Sequence, residues 1–575
     1  MHTVGFCNAL IFSSTYTYFR GAEQLCFDIA RPPPAMASMD QEITRKIHDS
    51  HATISKIREI SGNVGMSIGI MHRGAVIHKA HFGHQDVAQQ LPPDSNTIYE
   101  IASLTKAIVS GCLDILVDRK FLDWNTTLQE LLPELASDDT TVTLTQLKNE
   151  ANVVDVLAHR LGHTQRNMYR MQGHATILMD ANDTLKVFAD LEPIKEFRST
   201  MAYNNWGYGI AGEIIQRVSG MSVGEFASKH IFEPLQLNRT TLGIPGPDNR
   251  ARTYAALSDG TSFQVPYPPF SDGKLLASAS AGKSTLNDLL SFYGSLMQQS
   301  WNQNHGRSDM PVSPIPDVAT LWDSRIAIND ESSYGLGWVL TDLPAKCGLV
   351  GINPNMVDAM PTACKGCPPT RLVYHQGSGV GALSAAYLLP DSQSAIVVLS
   401  NSLDLCDSSD WVAQMLLEIV VESPQPNDYV KWAHLASTNS VNQMPHLQKR
   451  LRRERILGTR TRSLQDYVGR YWNKLDNFKL DVSIHKERLR ITVQGLQQIH
   501  YDLDHYQYDC FVWNTTRDEM SKEAFFAMAV IGFHKFSFNA EPAGEIQSVT
   551  WAYDKSIPEG EIFRRSGRPS TSTKL

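Results

Sequence analysis

A serine and a lysine stand three residues apart at the start of an apolar segment, in Ser103-Leu104-Thr105-Lys106. Residues three apart on a helix share a face, so both side chains would project into one pocket. A buried lysine loses its proton readily because burial disfavours the charged form, and a neutral amine can then deprotonate a neighbouring hydroxyl. The same spacing also arises by chance, with the serine as a helix N-cap, so it indicates a nucleophile only beside further chemical groups.

A tyrosine and an asparagine precede a second apolar segment, in Tyr203-Asn204-Asn205. A tyrosine near a lysine and a substrate anion ionises more easily than a free phenol, so Tyr203 is predicted to take the serine proton and return it to the leaving group. Asn205 offers donors and an acceptor, which suits holding a lysine and a substrate amide together. Taken alone, this pattern favours a loop tyrosine followed by a helix cap.

A third group, His375-Gln376-Gly377-Ser378, stands ahead of an apolar, β-branched segment that is typical of a core strand. A strand that carries Gly377 would let a substrate approach its backbone closely. The N–H groups of Ser103 and Ser378 could then stabilise a developing oxyanion together. The alternative is a surface histidine beside a glycine-rich turn.

The order and spacing of these three groups resemble the serine β-lactamase and penicillin-binding-protein superfamily. The resemblance extends from Met39 to Leu417 and includes the segments Ile98–Lys106, Phe121–Pro133, Tyr203–Tyr208, Phe232–Leu235, Ala281–Leu289 and Tyr334–Trp338. The Tyr-x-Asn pattern resembles the class C branch, the S12 type among peptidases. His375 and Gln376 stand where many members have Lys followed by Thr or Ser, which resembles the esterases, transesterases and D-aminopeptidases of this branch more than antibiotic-resistance enzymes.

The resemblance implies an acyl-enzyme mechanism on an ester, thioester or amide of a small molecule or peptide, with no metal or organic cofactor. It assigns catalytic roles to Ser103, Lys106 and Tyr203, and substrate-binding roles to Asn205, His375, Gly377 and Ser378. Hydrolysis is the leading interpretation. An acyltransferase or transesterase of natural-product (secondary) metabolism is the close alternative, because the outcome depends on whether water or an acceptor reaches the acyl-enzyme. A third interpretation is a non-catalytic binding protein on a hydrolase scaffold.

The segment His159-Arg160-Leu161-Gly162 departs from the family, which often has a His-x-Ser-Gly step at this point. The adjacent loop, as far as Asp180, is rich in Met, His and Gln, and we expect it to shape the pocket. His159 and His163 suggest a metal site, but no carboxylate partner is apparent near them in the sequence. We therefore expect structural roles for both histidines.

With 575 residues the chain is too long for one hydrophobic core. We predict a poorly ordered N-terminal extension over residues 1–38, a catalytic domain over 39–422, a linker over 423–462 and a small β-domain over 463–575. By the resemblance, the catalytic domain has the α/β (α+β) β-lactamase/transpeptidase-like fold: an antiparallel sheet flanked by helices, with a helical subdomain. Leu464–Tyr471 resembles the start of the lipocalin-like barrel that follows some of these hydrolases, and we expect that barrel to be accessory.

The net charge of −8 argues against nucleic acid as the main partner, since such sites need a basic surface. No apolar run approaches the ~20 residues of a membrane span, and the first residues lack the basic start of a secretory signal, so we expect a cytoplasmic protein. Cys364 and Cys367 form the one CxxC pair. Without further ligands at close spacing, it indicates a loop with free thiols or one local disulfide rather than zinc.

Overall fold

The computed structural model describes residues 34–135, 149–170, 173–307, 312–526, 529–542 and 544–566. Most of the predicted N-terminal extension, residues 1–33, lies outside the described residues, and its order stays a prediction. The described chain forms a sheet with packed helices and, after a long helix, a separate barrel.

An eight-stranded antiparallel sheet is the centre of the larger part. From edge to edge its strands are Ala75–Gly83, Gly65–His72, Ser394–Ser400, Ala382–Leu389, Thr370–Gly379, Val339–Leu343, Ser332–Tyr334 and Ile326–Ala327. The first two form a hairpin, whose turn residues Arg73 and Gly74 have φ of +52° and +78°. Two successive positive φ values are what a tight two-residue hairpin requires. The apolar strand Ser394–Ser400 is buried throughout, as its β-branched sequence predicts.

Helices pack on this sheet and build a helical region beside it, which confirms the predicted architecture. The α-helices of this part are Pro34–Asp49, His51–Ser61, Thr105–Asp118, Leu128–Leu131, Val153–Leu157, Thr184–Ala189, Asn205–Ser219, Val223–Ala227, Ala277–Ser280, Leu286–Asn304, Val318–Leu321 and Ser408–Val420. Short strands accompany them: Tyr99–Glu100 with Lys283–Ser284, Tyr254–Ala256 with Ser262–Gln264 and Ser402–Leu403, and Ala345–Lys346 with Thr362–Ala363.

The Thr105–Asp118 helix is the most enclosed of the long helices around the site. It is buried along nearly its whole length, as its apolar residues on all sides predict. It packs against the Asn205–Ser219 helix and against the short Ala277–Ser280 helix. Residues from the starts or ends of these three helices therefore meet at one place.

The predicted linker is largely one helix, Tyr429–Glu454, capped by the Asp428 side chain. The basic segment at its end, residues 449–455, is exposed apart from Leu451. Leu447 and Leu451 pack against Tyr506 and Val512 of the barrel. This contact fixes the end of the helix on the barrel surface.

The C-terminal part is a closed eight-stranded antiparallel barrel, which confirms the predicted lipocalin-like domain. Its strands are Gly469–Trp472, Lys479–His485, Arg488–Val493, His500–Gln507, Cys510–Trp513, Lys535–Ala540, Ile546–Trp551 and Glu561–Arg565. Its core is aromatic, with Trp551 fully buried among several Phe and Tyr rings. A connection of about twenty residues, 514–534, contains the helix Arg517–Lys522 and leaves the barrel toward the sheet domain.

Cys347, Cys364 and Cys367 are free thiols, so the free-thiol alternative for the CxxC loop is confirmed and the local disulfide is wrong. Within the described ranges, no helix combines the length and apolar character that crossing a membrane requires.

Candidate active site

Ser103 lies in a short 3₁₀ turn, Ala102–Leu104, that leads directly into the Thr105–Asp118 helix. Ala102 has a φ of +45°, in the left-handed region that residues with a Cβ rarely occupy. Such a conformation costs on the order of 1–3 kcal/mol and persists only where surrounding contacts hold it. One of these contacts is a hydrogen bond of 2.6 Å from Thr105 Oγ1 to the Ala102 carbonyl. The turn leaves the Ser103 side chain partly exposed.

Lys106 Nζ is buried and has three polar neighbours. It lies 2.9 Å from Ser103 Oγ, 3.0 Å from Asn205 Oδ1 and 2.9 Å from the Ala279 carbonyl oxygen. Burial lowers the pKa of Lys106 well below its ordinary value, and the charge of Arg170 lowers it further. A neutral amine has two N–H groups and one lone pair. The amine as placed donates to all three oxygens; once it has lost a proton, the two carbonyl-type oxygens, which can only accept, would keep its N–H groups and leave the lone pair for the Ser103 hydroxyl.

The alternative that Ser103 is a helix N-cap is excluded by the geometry. The N-cap position belongs to Leu104, and no side chain caps the helix there. The Ser103 hydroxyl instead contacts Lys106 and Tyr203. Ser103 and Lys106 therefore do share one face, as their spacing predicts.

Tyr203 donates a hydrogen bond of 3.0 Å to Ser103 Oγ. Burial raises the pKa of Tyr203 to about 12, although its bond to Ser103 and the charge of Arg170 oppose the rise. The prediction that Tyr203 ionises easily is therefore wrong, because burial disfavours the phenolate more than its neighbours stabilise it. At neutral pH the phenol is protonated and serves as a donor toward Ser103.

The two asparagines after Tyr203 have different roles: one caps a helix and the other contacts the lysine. Asn204 is the N-cap of the Asn205–Ser219 helix: its Oδ1 accepts from the Trp206 N–H at 2.8 Å, and its Nδ2 donates to the Thr164 carbonyl at 2.8 Å. Asn205 is thereby free to point its Oδ1 at the lysine. The cap alternative thus holds for the first asparagine, and the lysine-holding prediction fits the second.

His375 is buried on the strand Thr370–Gly379, and both ring nitrogens have protein partners. Nδ1 lies 2.5 Å from the Gln376 carbonyl oxygen, and Nε2 lies 3.0 Å from Tyr334 OH. Burial lowers the pKa of His375 to about 3, so the ring is neutral. Since a carbonyl only accepts, Nδ1 carries the proton and Nε2 accepts from the tyrosine. Both ring nitrogens of His375 therefore have protein partners behind the exposed end of the strand. A contact between His375 and substrate stays a prediction.

Gly377 and Ser378 follow on the same strand, directly beside the serine turn. A Cβ on Gly377 would lie 2.3 Å from the Ile101 carbonyl oxygen and 3.2 Å from the Ser103 amide nitrogen. The close approach needs a glycine, as the sequence predicts. Gly377 thus lets the strand backbone reach the serine turn, and Ser378 is the first strand residue to reach the surface beyond it.

His159 and His163 have structural surroundings. His159 Nδ1 accepts from the Asn204 N–H at 3.1 Å, and its ring lies 4.3 Å from the Tyr203 ring, centroid to centroid. Burial lowers the pKa of His163 to about 4. Neither histidine belongs to a group of three potential metal ligands among the residues that the structure describes. His159 acts as a support for Tyr203.

A cleft of about 1120 Å³ opens beside Ser103, Tyr203 and Ser378. One wall is the predicted pocket-shaping loop, through Asn167 and Arg170. The opposite part of the lining comes from the barrel connection and from the end of the Tyr429–Glu454 helix: Arg517, Phe525, Phe526, Val530, Ile531, His446 and Arg450. The barrel is therefore part of the cleft wall. We expected it to be accessory, and that expectation did not include a contribution to the cleft.

The barrel also holds the loop that carries Arg170. Tyr169 stacks on the barrel residue Phe478 at 4.5 Å and donates through its hydroxyl to the partly buried Glu561. Tyr553 donates to the other oxygen of Glu561 at 2.5 Å. A carboxylate that accepts from two phenol donors fixes the loop between the barrel and the serine turn.

Sequence reasoning missed three contributors to this site. The Ala279 carbonyl is a backbone group, and no residue type signals it. Arg170 lies in a loop that was predicted only as a whole, and the barrel side chains are hundreds of residues away from Ser103 in sequence. The loop's basic residues were the one signal that could have drawn attention to Arg170.

Two family models match this chain. A family model described as Beta-lactamase matches residues 51–417, and one described as Domain of unknown function (DUF3471) matches residues 457–563. The chain is 21% identical over 359 residues to the "Beta-lactamase" of Escherichia coli K12, a match that covers 61% of this chain and 87% of that protein. It is 22% identical over 375 residues to "Penicillin-binding protein 4*" of Bacillus subtilis, covering 63% and 73%.

A fungal protein is also similar. "Unguisins hydrolase ungD" of Aspergillus violaceofuscus is 25% identical over 227 residues, which is 38% of this chain and 39% of that protein. The Beta-lactamase model matches more than half of the 575 residues. The chain therefore belongs to the β-lactamase and penicillin-binding-protein superfamily.

Proposed function

We propose that this protein is a serine hydrolase that acylates Ser103 with an ester, thioester or amide of a small molecule or peptide and releases the acyl group to water. The observation that carries the proposal is the environment of Lys106: a buried amine with two N–H acceptors and its third contact on the Ser103 hydroxyl. This arrangement supplies a base already aimed at the nucleophile. The contacts of Tyr203 and Asn205 suit the class C-like branch that their motif resembles.

In the acylation step, Ser103 Oγ attacks the carbonyl carbon while its proton moves to the lone pair of Lys106. The carbonyl oxygen becomes an oxyanion, for which the N–H groups of Ser103 and Ser378 are the proposed donors. Tyr203, protonated and 3.0 Å from Ser103 Oγ, is placed to pass its proton to the departing alkoxide, thiolate or amine. The Lys106 ammonium, which holds the former serine proton, then reprotonates the Tyr203 phenolate, so that both groups regain their starting states before deacylation.

Deacylation repeats these steps with water as the nucleophile. Asn205 keeps Lys106 oriented, and its Nδ2 is the proposed donor to a substrate amide. His375 supports the strand from behind through its bonds to Tyr334 and the backbone. The similarity to a fungal hydrolase named for unguisins supports hydrolysis over transfer and is compatible with a role in secondary metabolism.

The proposal is tested by treating the protein with a fluorophosphonate and locating the adduct by peptide mass spectrometry. We expect one adduct, on the peptide that contains Ser103. No adduct, or an adduct on another residue, would contradict the proposal. With an acyl ester in place of the fluorophosphonate, release of the acyl group that is accelerated by added alcohols or amines would favour the acyltransferase instead.

Gly377→Ala is expected to disturb the site, whereas Gly379→Ala on the same face of the strand is not. The new methyl at position 377 would lie 2.3 Å from the Ile101 carbonyl oxygen and from Ser384 Oγ, but at position 379 its nearest neighbour is Ala102 Cβ at 3.6 Å. Overpacking of this kind costs about 1–3 kcal/mol of stability, and displacement of an oxyanion donor costs about 10²-fold in kcat.

Thermal unfolding and ester turnover of the two glycine variants provide the measurement. The Gly379→Ala variant should stay within about threefold of wild-type kcat, since its contact is an ordinary one. Equal effects of the two substitutions would show that the strand does not need its close approach at position 377.

A further inference from the structure

The segment that follows the Tyr429–Glu454 helix exposes two aliphatic side chains in succession. Ile456 is 49% exposed, and Leu457 is 80% exposed, the highest value among the large hydrophobic residues that the structure describes. A single exposed leucine is common on protein surfaces, whereas adjoining exposed apolar residues indicate a contact surface.

A barrel tyrosine belongs to the same surface. Tyr508, which is 58% exposed, lies in the turn between the fourth and fifth barrel strands. Its N–H donates to Thr459 Oγ1 at 3.1 Å, and the Ile456 N–H donates to Gln507 Oε1 at 2.9 Å. These bonds hold the segment against the barrel turn, so Ile456, Leu457 and Tyr508 form one patch, which we call the apolar tip.

The barrel turn itself gives no reason for a tyrosine at its end. The φ of Tyr508 is +46°, in the left-handed region that favours Gly, Asn or Asp, and its ring is not part of the core. At the boundary between water and lipid headgroups, by contrast, a tyrosine buries its ring and keeps its hydroxyl hydrated.

A dense cluster of positive charge adjoins the apolar tip. Residues 449–462 contain seven Lys or Arg and one Glu, in a chain whose net charge is −8. The one acid, Glu454, is already paired with Arg450 at 2.6 Å and with Lys535 at 3.6 Å. Four exposed cations form no ion pair with any residue that the structure describes: Lys449, Arg452, Arg453 and Arg460.

The helix end accounts for only part of this charge. Cations in the last turn of a helix interact favourably with its C-terminal carbonyls, which fits Arg452 and Arg453. That effect falls off within one turn, so it explains neither Arg460 nor the exposure of Leu457. Unpaired cations beside exposed apolar side chains therefore indicate a partner with both negative charge and an apolar phase.

A membrane surface with anionic headgroups offers both, because its charges lie directly above hydrocarbon. A nucleic acid would match the charge, but its phosphates give two aliphatic side chains nothing apolar to pack against. A second copy of this chain would bring like charges together across a symmetric interface, which costs free energy.

We propose that the apolar tip and the cations of residues 449–462 dock this protein on anionic membrane surfaces, with Leu457 and Tyr508 inserted at the level of the headgroups. Arg450 of the same segment and His446, one turn before it, line the cleft beside Ser103. Docking therefore brings one wall of the cleft close to the lipid surface. The inference does not depend on the proposed function, because the docking surface uses none of the catalytic groups.

Co-sedimentation of the full chain with sucrose-loaded vesicles tests the inference. One set of vesicles contains phosphatidylcholine alone, and the other contains phosphatidylcholine mixed with phosphatidylserine. We expect the wild type to bind the mixed vesicles about 100-fold more strongly than the neutral ones in about 0.1 M NaCl. Raising the salt to about 0.5 M should weaken that binding by about 10-fold or more, because salt screens exposed charges.

The variant Arg452→Gln/Arg453→Gln/Arg460→Gln should bind the mixed vesicles about 100-fold more weakly than the wild type, since each basic side chain near an anionic surface contributes about fivefold. The charge-matched control removes three exposed cations from the sheet-and-helix part: Lys120→Gln/Lys229→Gln/Arg307→Gln. Its binding should stay within about threefold of wild type, because its sites lie outside the patch.

The apolar contribution is tested separately. Leu457→Ser should weaken binding to the mixed vesicles by about 10-fold, whereas Leu91→Ser, at an exposed leucine outside the patch, should leave it unchanged. All these substitutions are at exposed positions, and thermal unfolding together with fluorophosphonate labelling of Ser103 verifies that each variant folds.

Equal binding to both kinds of vesicle, binding to neither, or equal losses in the arginine variant and its control would overturn the inference. So would a duplex DNA oligonucleotide that binds through the same arginines while Leu457→Ser has no effect, since the partner would then be a nucleic acid. Self-association that the arginine variant abolishes, without vesicle binding, would identify a second copy as the partner instead.

Discussion

Ser103→Ala is expected to lower kcat for ester hydrolysis by about 10⁴-fold or more, the scale on which removal of a serine nucleophile acts in other hydrolases. The loss follows from the geometry: Ser103 Oγ is the group that Lys106 and Tyr203 both contact, at 2.9 Å and 3.0 Å. With alanine there, no hydroxyl remains for the base to activate. Steady-state turnover of a p-nitrophenyl ester and the loss of the fluorophosphonate adduct provide the measurement.

Ser110→Ala is the matched control for this substitution. Ser110 lies on the buried helix that follows the Ser103 turn, so it tests whether removing any nearby buried serine hydroxyl is enough to inactivate the protein. We expect Ser110→Ala to keep kcat within about threefold of wild type, because its hydroxyl does not line the cleft. Residual turnover by Ser103→Ala at the wild-type rate would identify another nucleophile and reject the mechanism.

Much of the catalytic domain's fold could be predicted from local patterns. The hairpin of Gly65–His72 and Ala75–Gly83 is specified by its alternating strands and by a turn that ends in Gly74. The central strand Ser394–Ser400 is specified by its β-branched residues. These features depend on neighbours in sequence, which is why the pattern alone identifies them.

The chemical groups were predictable by type, but their protonation was not. The spacing of Ser103 and Lys106 predicts a shared face, which their 2.9 Å contact confirms, and a lysine that loses its proton readily, in line with the direction in which burial shifts the pKa of Lys106. Tyr203 has the opposite shift from the predicted one, because its pKa depends on how deeply the ring is buried against His159 and its other neighbours. Burial of that kind is a property of tertiary packing and leaves no trace in a three-residue motif.

The contribution of the barrel to the cleft could not be predicted for a related reason. Tyr169 and Glu561 are in contact across 392 residues of sequence. Phe525 reaches the cleft from a connection between barrel strands, where the sequence shows only an ordinary loop and helix. Contacts between two separately folded parts follow from how their surfaces fit, and periodicity within each part says nothing about that fit.

Lys106→Met is expected to lower kcat/KM by about 10³-fold while the protein keeps its fold, because a positioned general base contributes about 10²–10⁴-fold. Methionine fills nearly the same space without a lone pair for the Ser103 proton. Asn205 Oδ1 and the Ala279 carbonyl each lose a donor, which costs about 1–3 kcal/mol of stability per unsatisfied group. Lys106→Arg should be as inactive as Lys106→Met, since a guanidinium stays protonated.

The pH dependence distinguishes a neutral lysine from a charged one. Because burial lowers the pKa of Lys106, kcat/KM should rise as the pH passes through that lowered pKa and then stay level. A lysine with an ordinary pKa would instead give a tenfold rise of kcat/KM per pH unit up to about pH 10. Tyr203, with its pKa raised to about 12, should cause no fall below about pH 11.

A measurement of stability tests the same charge state without relying on activity. Between the lowered pKa of Lys106 and its unfolded value of about 10.4, the unfolded chain binds one more proton than the folded chain. The free energy of unfolding of the wild type should therefore rise relative to that of Lys106→Met by up to about 1.4 kcal/mol per pH unit in this interval. A constant difference between the two proteins from pH 7 to 10 would mean that Lys106 is charged in the folded state and cannot be the base that activates Ser103.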